Sequence, residues 1–236
     1  MTSQKHTVHS YEKELSYLKE LLLRMSGLVE QQFSNAINLL LQGQNTALAQ
    51  NIIRADQKTD SLEKEIEINA IKLLALRAPM AQDLREIVSS LKISANLERI
   101  GDLAANIARR FTEIGDINTL PPLSSLITMG KRIEDNLQKT IQALTQLDKD
   151  MVFYLWAADE QIDQFYINVL CEITNYMTEH KEYVTPCSHL LFIAKNMERI
   201  GDHITNISEY VYYIVTGDLL PSNIRSEKNS PAYKNT

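Results

Sequence analysis

Four couples of carboxylates, each couple set four residues apart, stand in corresponding places of the two halves of this chain. RADQKTDSL supplies Asp56 and Asp60, and NLERIGD supplies Glu98 and Asp102. In the second half AADEQIDQF supplies Asp159 and Asp163, and NMERIGD supplies Glu198 and Asp202. On a helix, four-residue spacing stacks two side chains on one face with their Cβ atoms about 5–6 Å apart. One such pair is ordinarily a solvated face. Four carboxylates brought together repel strongly at reduced dielectric, and they must protonate, find arginines, stay wet or bind a cation. An all-oxygen donor set suits hard cations, namely iron, manganese, magnesium or calcium, better than zinc. Asn106 and Asn206 follow each second acid by four residues, and are candidates to ligate or to orient the ligands.

The acids recur because the chain repeats itself. NLERIGDLAANI at 96–107 returns as NMERIGDHITNI at 196–207, with Asn, Glu, Arg, Ile, Gly and Asp in the same places. A repeat this literal indicates a fold built twice. Along the chain, Leu84 and Leu91 precede Glu98 at heptad spacing, and Val88 and Ala95 precede Asp102. Val184 and Leu191 lead to Glu198 in the same way. Heptad-spaced residues share an angular position, so the acids are expected to face inward or toward a seam between helices. Arg99 is expected to point about 100° away from Glu98 and to neutralise it poorly. Gly101 and Gly201 each cost a helix about 1 kcal/mol against alanine, which a close packing contact would offset. His203 reads as an ordinary polar residue. Arg77 and Arg85 read as local caps.

Long helices must position these residues. Glycine and proline are scarce, and Gly43, Pro79, Gly115 with Pro121 and Pro122, Pro186, and Gly217 with Pro221 separate stretches of helical periodicity. Leu15, Leu18, Leu22, Met25, Val29, Phe33, Ala36 and Leu40 trace one face of the first stretch. The expected helices cover 10–42, 46–77, 80–114, 123–147, 149–180 and 185–216. No stretch shows sustained two-residue alternation, so a sheet is not expected. Short connections make successive helices antiparallel neighbours, which gives an all-α fold of two three-helix bundles in tandem. The first bundle is expected over 10–115, the second over 120–217, with a loose polar tail at 218–236. Folding the hairpin at Pro79 puts Asp60 and Glu98 each 19 residues from the turn, and Asp56 and Asp102 each 23 from it. Asp163 with Glu198, and Asp159 with Asp202, likewise share a midpoint just before Pro186. Each half should therefore bring four carboxylates to one height.

Composition narrows the function. The chain has 236 residues with 44% hydrophobic content and a net charge of −6, so no positive field recommends nucleic acid. The opening MTSQKHTVHSYEKEL lacks the apolar core of a signal peptide, and no apolar run approaches the ~20 residues that span a bilayer. Cys171 and Cys187 form no C-x-x-C pair and fit buried thiols in a reducing compartment. A cytoplasmic protein is expected. No nucleophile motif and no phosphate-binding P-loop is present, so catalysis is not expected.

The stretches 14–40, 54–63, 74–108 and 189–217, with their two ERIGD phrases, closely resemble the PhoU family of bacterial phosphate-signalling proteins. That resemblance implies two three-helix bundles bearing multinuclear metal clusters, most often iron, with manganese and magnesium as alternatives. Carried over, the clusters fall on Asp56, Asp60, Glu98 and Asp102, and on Asp159, Asp163, Glu198 and Asp202. It implies a homodimeric, non-enzymatic negative regulator of the phosphate-starvation response. Such a regulator links the ATPase subunit of a phosphate ABC transporter to a sensor histidine kinase, and meets the membrane only through those partners. Two other readings stand beside it. A carboxylate-bridged di-iron oxidase or storage protein would use Glu-x-x-His pairs, which this chain lacks. A metal-free helical interaction module would leave the acids solvated.

Overall fold

The computed structural model describes residues 2–43, 45–114 and 120–220, with side chains from residue 10 onward. Six helices follow one another: α1 (Thr2–Gln42), α2 (Thr46–Arg77), α3 (Ala81–Glu113), α4 (Pro122–Gln146), α5 (Lys149–Glu179) and α6 (Val184–Thr216). The described residues contain no strand. Local chemistry sets the ends. Asn45 accepts the Leu48 N–H at 3.0 Å, and Asp148 accepts those of Asp150 and Met151 at 2.9 and 3.2 Å. Gly43 and Gly217 take left-handed backbone (φ 79° and 81°) just past α1 and α6.

Two boundaries differ from the sequence expectation. Helix α1 begins at Thr2 rather than near residue 10. Pro186 lies inside the first turn of α6, where its missing N–H costs nothing, and a single 3₁₀ turn at Lys181–Tyr183 makes the connection instead. Most of the expected boundary at 115–122 and of the expected tail lies outside the described residues, although Leu220 is still buried.

Helices α1, α2 and α3 pack on one another, as do α4, α5 and α6, and α3 lies along α6 to join the two bundles. Helix α4 also touches α1. There Gly130 leaves bare backbone, since a Cβ would overlap Ile37 Cδ1 and come within 3.1 Å of Met197 Cε. The buried side chains of both halves form one connected core, from Leu18, Met25 and Phe33 on α1 to Ile200 and Val211 on α6. Polar contacts close the outer end of the first bundle. Tyr11 donates to Asp83 Oδ2 at 2.8 Å, tying α1 to α3. Arg77, expected to pair locally, instead reaches α1, donating to Glu14 at 2.7 and 3.0 Å and to Ser10 at 2.9 Å.

Contacts across the α3–α6 seam fix its register. Arg85 lies against Gly217, Arg110 stacks over Phe192, and Glu113 meets His189. From 85 to 110 on α3 and from 217 to 192 on α6 the step is 25 residues each, so the helices run antiparallel. That register sets Gly101 opposite Gly201. Because the repeat relates each residue of this part of α3 to the one a hundred later on α6, an approximate two-fold axis passes between those glycines.

Candidate functional site

Asp56 and Asp60 of α2 and Glu98 and Asp102 of α3 come together as the hairpin arithmetic requires. The Asp56 carboxyl is pushed up from its ordinary range by burial first, then by the charges of Asp102 and Asp60, against Arg109 and a hydrogen bond from Gln32. Burial also raises the Glu98 carboxyl, opposed by Arg99 and assisted by Glu63, Asp102 and Asp60. Their side chains are 17% and 19% exposed, so the acids line the α2–α3 seam rather than the core. The heptad lines leading to them are not core lines either, because Leu84 and Val88 are 41% and 38% exposed. The expectation that the acids face inward or toward a seam is met at the seam.

Cations crowd this cluster more than the sequence suggests. Arg99 Nε lies 3.4 Å from Glu98 Oε2, contrary to the angular argument, because its long stem curls back over its neighbour. Arg109 Nη2 lies 3.7 Å from Asp56 Oδ2 and donates through Nη1 to Asn106 Oδ1 at 2.6 Å. Asn106 in turn donates to Asp102 Oδ1 at 3.4 Å, so it orients both partners. Asp56 Oδ1 is buried and has no hydrogen-bond partner. Such a group is costly to bury unless something pairs with it.

A buried polar knot supports the cluster from behind. Gln32 of α1 is 1% exposed and donates Nε2 to the carbonyls of Ile52 at 3.1 Å and Gly101 at 3.0 Å. Thr59 donates to Gln32 Oε1 at 3.5 Å. A Cβ on Gly101 would stand 3.0 Å from that oxygen and 3.3 Å from Thr59 Cγ2, so the glycine admits the knot. Gln32 was visible in the sequence as the polar member of the line Leu18, Met25, Gln32, Leu39, all four of which are buried. It drew no attention there because it carries no charge.

The acids of the second half lie on α5 and α6. Asp159 is 3% exposed, and its Oδ1 lies 3.8 Å from where a Cβ on Gly201 would be, the level the midpoint predicted. Asp163 follows one turn along α5, half-buried. Glu198 is paired with Lys195 Nζ at 2.6 Å, and the charge of the exposed Asp202 also acts on that lysine. The repeat has Ala95 where Lys195 stands, so comparing the halves position by position would have found this cation. Asn206 and His203 turn away from the acids. Asn206 donates to Asn96 Oδ1 at 3.3 Å across the α3–α6 seam, and His203 Nδ1 lies 2.9 Å from the same oxygen.

Among the described residues, no three His, Cys, Asp or Glu side chains converge tightly enough to hold an ion in the rotamers seen here. The first cluster nonetheless fits a hard cation by its oxygen-only donors, a mutual repulsion that Arg99 and Arg109 offset only in part, and the orphaned Asp56 oxygen.

Comparison with known proteins follows the same two halves. The PhoU domain model matches residues 22–111 and again 126–211. A Caulobacter vibrioides protein described as a phosphate-specific transport system accessory protein PhoU homolog is 40% identical over 92% of this chain and 94% of its own length. A Rhizobium meliloti protein of the same description is 38% identical over 91% of each chain. Among solved structures, PhoU from Pseudomonas aeruginosa superposes with a TM-score of 0.84 at 32% identity, covering 88% of this chain and 100% of that one. The phosphate transport system regulatory protein PhoU from Streptococcus pneumoniae gives 0.82 at 30% identity, covering 89% and 99%. With two copies of the domain and near full-length relatives, this chain belongs to the PhoU family.

Proposed function

We propose that this protein is a non-enzymatic accessory regulator of phosphate uptake. It would couple the ATPase subunit of a phosphate ABC transporter to a sensor histidine kinase and hold the starvation response off when phosphate is plentiful. The observation that carries the reading is the near full-length similarity, over both halves, to proteins described as phosphate-specific transport accessory proteins. A cytoplasmic homodimer is part of the same proposal.

Metal binding is its chemical half. Asp56, Asp60, Glu98 and Asp102 would hold one centre, and Asp159, Asp163, Glu198 and Asp202 the other, with iron the first choice and manganese or magnesium the alternatives. A bound cation supplies the positive charge that offsets the mutual repulsion of the carboxylates. The chain's own residues do the positioning. Asn106 steadies Asp102 and Arg109, and Gln32 knots α1 to α2 and α3 behind the cluster. Arg99, Arg109 and Lys195 act as resident counter-ions, in exposed or half-exposed pairs worth about 0–1 kcal/mol each, which an ion displaces at little cost. Filling both centres would stiffen the α2–α3 and α5–α6 surfaces that partners read.

The test is direct. Purified protein should bind the transporter's ATPase subunit and the cytoplasmic part of the kinase, and deleting its gene should raise starvation-gene expression in phosphate-rich medium. Unchanged expression together with no binding to either partner would end the proposal.

A further inference from the structure

The α3–α6 seam carries a row of cations, one of which, Arg99, also pairs with Glu98 of the first cluster. On α3, Arg85, Lys92 and Arg99 follow at heptad spacing, about 10.5 Å apart, and Arg110 continues the same edge. On α6, Arg199 stands one turn before His203, which lies on the seam against Asn96. In the antiparallel register Arg99 falls opposite His203, so Arg99 and Arg199 stand near one point of the seam. Lys92, Arg99 and Arg199 are exposed, and Phe192 beneath Arg110 is 54% exposed. At one end Arg85 Nε and the 1%-exposed Ser89 Oγ are buried without hydrogen-bond partners. Acids touch this strip at both of its edges. Glu113 meets His189 at 3.6 Å, and Glu98 reaches Arg99 from the α2 side at 3.4 Å.

The flanks have the opposite sign. Glu98 and Asp102 face the acids of α2, while Glu198 sits beside Tyr166 of α5, with Asp202 next to Lys195. A positive strip about one helix wide therefore runs between two negative margins, in a chain whose net charge is −6. A broad anionic surface, such as a membrane or a duplex, would meet the margins and be repelled. A single narrow acidic segment would meet only the strip.

We propose that this seam is a docking furrow for an acidic segment of a partner protein, its carboxylates paired with Lys92, Arg99, Arg199 and Arg110 and an apolar side chain set against Phe192. From Lys92 to Arg110 the furrow spans about 27 Å, the length of a helix of roughly 18 residues. The proposal needs no bound metal, and a metal that displaces Arg99 from Glu98 would leave that guanidinium free for the furrow.

The probe is a fluorescein-labelled oligoglutamate of about 20 residues, long enough to fill that span, followed by anisotropy with the full chain. Binding should be saturable and weaken as salt rises, because exposed charges are screened. The exposed pair Arg99→Glu/Arg199→Glu should lower affinity at least tenfold, and Arg99→Ala/Arg199→Ala should lower it less. Arg24→Glu/Lys131→Glu, away from the seam, should leave it unchanged. Circular dichroism of each variant should match the wild type. Absence of saturable binding to wild type would overturn the proposal, as would equal binding by the Arg99→Glu/Arg199→Glu protein. So would tighter capture of phosphatidylserine vesicles, polyphosphate or a single-stranded oligonucleotide that oligoglutamate does not compete away. A change of oligomeric state in the seam variant, seen by sedimentation, would instead make the seam a contact between copies and overturn it too.

Discussion

At the scale of single residues, the acids were legible in the sequence and their counter-ions were not. Spacing places Glu98 and Asp102 level with Asp60 and Asp56 whatever the side chains do, because it depends only on backbone rise. Arg99 defeats the same logic, since a long flexible stem reaches 3.4 Å from a carboxylate its Cβ does not face. The ion pair of Arg109 with Asp56 and the hydrogen bonds of Gln32 escape notice because they reach other helices. The acids yield a sharp expectation. Glu98→Gln with Asp102→Asn removes two negative charges while keeping shape, and metal content by mass spectrometry should fall to about half. The metal-free variant should stay helical and be at least as stable as metal-free wild type, because repulsion is relieved. Added metal should raise the melting temperature of wild type more than that of the variant. Equal metal content in both proteins would refute two separate centres.

At the scale of elements, helix number and most helix limits followed from glycine, proline and periodicity, whereas the start of α1, the place of Pro186 and the helix-to-helix clamps did not. Tyr11 illustrates the difference. Burial, its hydrogen bond to Asp83 and the charges of Asp83 and Glu86 push its phenol up to about 12 from an ordinary 10.0. A phenol whose pKa is higher folded than unfolded contributes stability that is complete below the unfolded value and is lost as pH rises through the window from 10 toward 12. Tyr11→Phe should therefore lose less stability than wild type between those pH values, as read by urea midpoints. A parallel loss in both proteins would remove Tyr11 as the cause. Gly130 marks the point where α4 meets α1 and α6 with no room for a Cβ. Gly130→Val should destabilise by about 1–3 kcal/mol, the usual cost of overpacking, despite valine's slightly better helix propensity. A midpoint unchanged from wild type would mean Ile37 can move aside.

At the scale of the whole molecule, two three-helix bundles were legible as a repeat, but how they dock was not. The ERIGD phrases mark α3 and α6 as special without saying that they lie side by side and antiparallel, since no short-range pattern encodes a contact a hundred residues away. Charge is legible at this scale. With net charge −6 and no described helix long and apolar enough to cross a membrane, the protein should stay in the supernatant when spun with phosphatidylserine vesicles at physiological salt. Tight sedimentation with protein-free vesicles would contradict this. The approximate two-fold axis between Gly101 and Gly201 also has an ancestral meaning. Two separate copies of one bundle, meeting through the same helix, would form this seam around a true two-fold axis, the commonest symmetry of protein pairs. A gene for a single bundle could thus have made a working dimer before tandem joining locked the partners together. Joining then let each half drift alone: Lys195 against Ala95, His203 against Leu103 and Glu209 against Arg109 are differences that identical subunits cannot carry.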